Sequence, residues 1–206
     1  MLIQQVAIPV SHGSLEGILQ TGEADAELAA IVCHPHPQYG GTMHNKVVFH
    51  AAKAFGELGW PVLRFNFRGV GASTGSYGEG IAEREDALAA LDFLERDRVV
   101  LAGFSFGSRV ALTVGAGDER AVALCGIGVP VSAGGLEAVE GCAKPKLFVQ
   151  GRRDEHGPPE LMQPWFDRLP EPKRLDWIEG ADHFFTGFEE PLKAAINSYF
   201  GARFVD

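Results

Sequence analysis

No stretch of the chain approaches the 18 or more consecutive apolar residues that a membrane-spanning helix needs, so no transmembrane segment is expected. Lys and Arg are absent from Met1 to Gln20, and Pro9, His12 and Glu16 interrupt that stretch. It therefore lacks the charged n-region and apolar h-region of a secretory signal, and a cytoplasmic protein is expected. Basic residues are outnumbered throughout, 18 Lys and Arg against 27 Asp and Glu, which gives a net charge of −9. A field of that sign repels phosphate backbones and anionic lipid headgroups, so neither nucleic acid nor a membrane surface is an expected partner. Cysteine is scarce as well. The three present, Cys33, Cys125 and Cys142, are odd in number and lack C-x-x-C spacing, and the first two lie inside apolar runs. Reduced, packed thiols are expected in place of a disulfide framework. Internal repeats and low-complexity stretches are lacking too.

What the chain does have is a globular composition, 46% hydrophobic and 22% charged over 206 residues. That length corresponds to about 1.4 domains at the usual size, so a single domain over residues 1–206 is expected. Leu2–Val10 and Gly13–Gln20, separated by Ser11 and His12, read as a hairpin. Short apolar runs follow at Leu28–His34, Val62–Phe67, Val99–Phe104, Val122–Val129 and Lys146–Gln150, with a further strand at Arg174–Ile178. Runs without polar alternation suit strands covered on both faces, as in a parallel sheet. Between them lie helical spacings at His44–Leu58, Glu79–Glu95 (apolar face Ala87, Leu88, Leu91, Leu94), Phe106–Ala116, Pro158–Leu169 and Glu190–Phe200. The alternation predicts an α/β class, a doubly wound and mostly parallel sheet with an N-terminal antiparallel hairpin and its site at the carboxyl ends of the strands.

The sharpest local signal is Gly103-Phe104-Ser105-Phe106-Gly107, because it falls where a buried strand passes directly into an apolar helix. A nucleophile on such a sharp turn is lifted above the sheet edge, and the close approach of strand and helix admits only small residues two positions away on either side. Gly103 and Gly107 meet that demand. The serine also stands at a helix N-terminus, where free N–H groups favour developing negative charge, and the N–H of Phe106 is the first candidate oxyanion donor.

The loop after the third strand reads Cys33-His34-Pro35-His36-Pro37-Gln38-Tyr39-Gly40-Gly41-Thr42. Together with the G-x-S-x-G junction, it resembles the α/β-hydrolase superfamily, many of whose members carry His-Gly-x-Pro there. Aligning His34 and Pro37 on that pattern makes His36 the second oxyanion donor; Pro35 replaces the usual Gly, which leaves Gln38 as the alternative donor. Histidines at i, i+2 on a strand end also share a face, a spacing compatible with a metal site. Against it, His34 ends an apolar strand, a proline follows each histidine, and no Cys or carboxylate clusters locally.

The resemblance implies an acid and then a histidine, in that order, after the serine. Lys146–Gln150 leads through Gly151 to Asp154, and Gly180-Ala181-Asp182-His183-Phe184-Phe185 follows the last strand. The implied triad is Ser105, Asp154 and His183, with His183 as base and Asp154 orienting it. Asp182 is the wrong partner because adjacent side chains diverge; His156 competes as base, and Glu155 is the next acid. The resemblance runs from the third strand to the last helix and is nearest to the small, lidless bacterial hydrolases related to dienelactone hydrolase, with Ser105 in place of their Cys. Asn66–Ser73 matches a stretch common in the superfamily. As a dinucleotide fingerprint it fails, since Thr74 stands where a third Gly belongs and no helix starts, so it reads as a turn with Arg68 structural. Only Pro130–Ala143 separates two strands, too little for a cap, and an open site is expected. Tyr39, Phe104, Phe184 and Phe185 are candidate pocket groups beside Phe106. The implied activity is cofactor-free and metal-free hydrolysis of small-molecule carboxylic esters through an acyl-enzyme. Thioesters or amides are the nearest rival substrates, and a catalytically silent binding protein is the rival from another class.

Overall fold

Alternate residues of the central strands feed two separate apolar layers, and that division explains why the strands carry no polar alternation. The computed structural model describes residues 2–204. Met1, Val205 and Asp206, the ends of the expected 1–206 unit, lie outside the described residues. Along β3 (Ala29–Cys33) and β5 (Val99–Phe104), Ile31, Cys33, Val99 and Leu101 face one layer, and Ala30, Val32, Val100, Ala102 and Phe104 the other. A side-chain period of two, with both faces covered, requires apolar residues at every position.

The eight strands form one sheet in the order β1-β2-β4-β3-β5-β6-β7-β8. β1 (Ile3–Val10) and β2 (Gly13–Gln20) make the antiparallel hairpin, and β2 pairs antiparallel with β4 (Val62–Phe65). From β4 onward all pairings are parallel, through β6 (Ala121–Ile127), β7 (Lys146–Gly151) and β8 (Lys173–Ile178). Helices α1 (Lys46–Glu57) and α6 (Glu189–Phe204) cover one face. On the other lie α2 (Ala82–Leu94), α3 (Phe106–Gly117), the single turn α4 (Glu137–Glu140) and α5 (Pro159–Arg168). The parallel strands therefore all point their carboxyl ends to one edge, where their outgoing loops converge.

Several boundaries differ from the sequence-based expectation for local reasons. α1 starts at Lys46 and not at His44, because Asn45 accepts the N–H of Val47 and caps the helix. α2 begins at Ala82 and not at Glu79: Glu79 and Gly80 hold positive φ angles of 60° and 82°, and the buried Glu83 carboxylate takes up the N–H groups of Gly78 and Gly80. Its packed face is Ala87, Ala90 and Leu91, whereas Leu88 is exposed. α6 continues past Phe200 to Phe204. The connection after β6 holds α4 and a 3-10 turn at Val131–Ala133, neither of which was expected. Arg68 is structural in its contacts: its guanidinium grips both oxygens of the fully buried Asp86 at 2.7 to 3.1 Å and ties the 68–80 loop to α2. All three cysteines are free and buried, and burial pushes the Cys33 and Cys125 thiols well above their ordinary range.

Candidate active site

Between β5 and α3 the chain turns through a single residue, Ser105, with φ 54° and ψ −121°. A non-glycine residue held there costs on the order of 1 to 3 kcal/mol, so the surroundings must impose it. They do so from both sides. The Ser105 N–H donates to the carbonyl of Ile127 at 2.9 Å, and its own carbonyl accepts the N–H and the hydroxyl of Ser108. A methyl at Gly107 would fall 2.4 Å from the carbonyl oxygens of Cys33 and His34, and one at Gly103 would fall 2.2 Å from the carbonyl of Gly107. Only glycine fits either place, and the packing of α3 against β3 and β5 depends on it.

Two strands along the sheet, β7 ends in the turn carrying Asp154, and the loop after β8 carries His183. The three side chains form one line: His183 Nε2 lies 2.9 Å from Ser105 Oγ, and His183 Nδ1 lies 2.8 Å from Asp154 Oδ2. Asp154 is buried and its carboxylate is fully engaged. Oδ2 also accepts from Gln150 Nε2 at 2.8 Å, while Oδ1 accepts the N–H groups of His156 and Gly157. Gln150 is in turn anchored by accepting the Val129 N–H. The imidazole is packed between Phe104, 5.1 Å away, and the ring of His156, 4.4 Å away. Gly128 completes this wall, since a methyl there would press on Phe104 and His183. The rival groups lie elsewhere. Asp182 caps the Phe184 N–H, Glu155 is exposed, and the exposed His156 touches His183 only ring to ring.

On the opposite bank the loop after β3 is braced by its two histidines. Burial drives the His34 imidazole down to about 4, so it is neutral. Its Nδ1–H donates to the Pro35 carbonyl at 2.6 Å and its Nε2 accepts the Phe67 N–H at 3.0 Å. His36 Nδ1 accepts the Gln38 N–H at 3.2 Å, and its Nε2 pairs with the Tyr77 hydroxyl at 3.1 Å. All four ring nitrogens are thus taken, and among the described residues no group of three His, Cys, Asp or Glu could hold a metal ion. The same contacts separate the two donor candidates. The Gln38 N–H is spent, while the N–H groups of His36 and Phe106 have no acceptor among the described residues.

A cavity of about 420 Å³ opens over Ser105, and Tyr39, Phe104, Phe106 and Phe184 line it. Phe185, expected beside them, does not: its positive φ of 53° turns the ring inward, where it is fully buried with Phe104 in the core. Phe184 is correspondingly 56% exposed. Among the cavity residues that escaped the sequence reading are Asn45, Pro130 and Ala133, His156 as a wall, and Arg109. Arg109 could have been found, because it stands four residues after Ser105 and an i, i+4 pair shares a helix face. A second groove of about 540 Å³ between β8 and α6 is more open and lies away from these residues.

Residues 30–193 match the family described as Alpha/beta hydrolase domain. The chain belongs to the α/β-hydrolase family. It is 34% identical over 201 residues to an uncharacterized protein of Rickettsia prowazekii, covering 91% of this chain and 84% of that one. An alpha-beta serine hydrolase homologue from Coxiella burnetii superposes with TM-score 0.88 at 38% identity, over 95% of this chain and 96% of that one. A Xanthomonas campestris protein described as an a/b serine hydrolase without lid superposes with TM-score 0.89 at 33% identity, over 97% and 94% of the two chains. This α/β hydrolase likewise carries no cap among its described residues: the 130–143 connection folds into one 3-10 turn and the short α4. Nor is any described helix long and apolar enough to cross a membrane.

Proposed function

We propose that this α/β hydrolase cleaves carboxylic esters of small molecules through an acyl-enzyme on Ser105, without a cofactor. The observation that carries the reading is the unbroken line from Ser105 Oγ to His183 and from His183 to Asp154, at 2.9 and 2.8 Å. In the first step His183 Nε2 takes the Ser105 proton as Oγ attacks the carbonyl carbon. The oxyanion so formed accepts hydrogen bonds from the N–H groups of Phe106 and His36, at the positive end of α3. The imidazolium returns its proton to the departing alcohol oxygen, and water repeats the sequence to release the acid. Asp154 contributes orientation. Its four hydrogen bonds leave it no freedom to turn, so the His183 ring is held with Nδ1 protonated and Nε2 facing the nucleophile. The same machinery serves thioesters and amides, so substrate choice rests on the cavity.

The test is labelling with a fluorophosphonate, followed by a panel of ester, thioester and amide substrates on wild type and Ser105→Ala. Alanine keeps the Cβ and the turn and removes only the hydroxyl. Labelling and turnover should both vanish while the circular dichroism spectrum and unfolding midpoint stay close to wild type. A folded variant that retains most of its activity would refute the mechanism.

A further inference from the structure

The acyl cavity holds one permanent charge, and no side chain among the described residues is paired with it. Arg109 lies on α3 one turn beyond Ser105, with its N–H directed back to the Ser105 carbonyl at 3.4 Å. Its guanidinium makes no hydrogen bond or ion pair among the described residues, and its Nε is buried without a partner. In a chain of net charge −9, the cavity lining contains no carboxylate at all; its ionisable side chains are Arg109, three histidines and Tyr39. Glu83, whose field reaches His36 and Tyr77 together with that of Arg109, spends its carboxylate on the N–H groups of Gly78 and Gly80. A guanidinium left unpaired beside a nucleophile is a costly arrangement unless a ligand completes it, since a half-buried charge wants hydrogen-bond acceptors.

We infer that the substrate is an ester that also carries a carboxylate, received by Arg109. The inference rests on the esterase reading above. One observation fixes its terms. A single planar fork with no second Lys or Arg in the lining matches a monoanionic carboxylate better than a phosphate dianion. The guanidinium packs against the 130–143 connection, where a methyl on Gly135 would fall 2.6 Å from its Nη2.

The experiment compares monoethyl adipate with its neutral carboxamide counterpart, ethyl adipamate, by ethanol release in wild type, Arg109→Gln and Arg109→Lys. Wild type should favour the carboxylate by about 10- to 100-fold in kcat/KM, the range of a charge-assisted hydrogen bond, with most of the difference in KM. Raising the ionic strength should shrink that ratio. In Arg109→Gln the ratio should collapse toward one, and Arg109→Lys should keep part of it. A wild type that hydrolyses both esters without preference overturns the inference, as does an Arg109→Gln enzyme that loses both activities in proportion, which marks a structural role. A wild type that hydrolyses neither ester and resists fluorophosphonate at Ser105 fails at the earlier step, the hydrolase mechanism itself.

Discussion

Acidification tests the loop that begins at His34, because that residue is fully buried and cannot take up a proton in place. Its imidazole is held down to about 4 by burial, against an ordinary value near 6.5, and its Nε2 faces the Phe67 N–H, a donor that a second ring proton would oppose. The unfolded chain therefore binds a proton at His34 that the folded chain refuses. The sign follows: stability is complete above about pH 6.5 and is lost progressively as pH falls toward 4. A difference of about 2.5 pKa units corresponds to about 3 kcal/mol in full, of which about 2.5 kcal/mol should be gone by pH 4.5. For a chain of this size that is a fall of about 5 to 10 °C in Tm. The carboxylates held low in the folded state, Glu16, Glu57, Asp118 and Glu189, are lost only below their own ordinary values of 4.5, 4.5, 3.8 and 4.5, so the window above them belongs to the histidines, and the His34 variant separates His34 from His36, which burial also lowers. Urea unfolding at pH 7.5, 6.5, 5.5 and 4.5, on wild type and His34→Gln, is the assay. Glutamine can still accept the Phe67 N–H but does not titrate, so the variant should start less stable and lose about 2.5 kcal/mol less across the series. Equal losses in the two proteins, or a wild type whose stability is flat from pH 7.5 to 4.5, would refute the argument. The consequence for the site is direct, since His34 anchors the strand end from which the His36 N–H is presented.

The remaining predictions concern the geometry around Ser105. Asp154→Asn should lower kcat by about 10⁴, the loss seen when a comparable triad loses its orienting carboxylate: with the amide oxygen kept on the His156 and Gly157 N–H groups, its NH2 faces His183 Nδ1 and the Gln150 amide, a donor where both need an acceptor, so the His183 tautomer with Nδ1 protonated is no longer held. Steady-state kinetics with the protein shown to be folded is the check; an undiminished rate would reassign the acid, with Glu155 the next residue to replace. Gly107→Ala would place a methyl 2.4 Å from two backbone carbonyls that cannot move aside, so unfolding by urea should show a loss of about 2 kcal/mol or more together with lost activity. A variant as stable and active as wild type would show that α3 is not seated as closely on β3 as the structure has it.

The sequence alone determined the fold class and the order of its parts. Uninterrupted apolar runs separated by helical spacings leave few arrangements, and a G-x-S-x-G at a strand-to-helix junction requires its two glycines for reasons of space that the structure makes explicit at Gly103 and Gly107. Asp154 and His183 were legible by their order after the serine, since each follows a readable strand. What was not legible depended on single dihedral angles and on which polar atoms were already occupied. Phe184 and Phe185 are indistinguishable as letters, but one positive φ sends the first to the cavity and the second to the core. Gln38 stood as the alternative to His36 as N–H donor until the His36 ring claimed the Gln38 N–H. Gln150 ends an apolar strand with no sign in its neighbours that it would hold the acid. Arg109 went unremarked in the sequence, because only packing reveals that its guanidinium lines the cavity without a partner among the described residues. Local patterns report what one segment needs; whether a charge or an N–H remains unpaired is a sum over segments distant in sequence, and only the tertiary structure performs it.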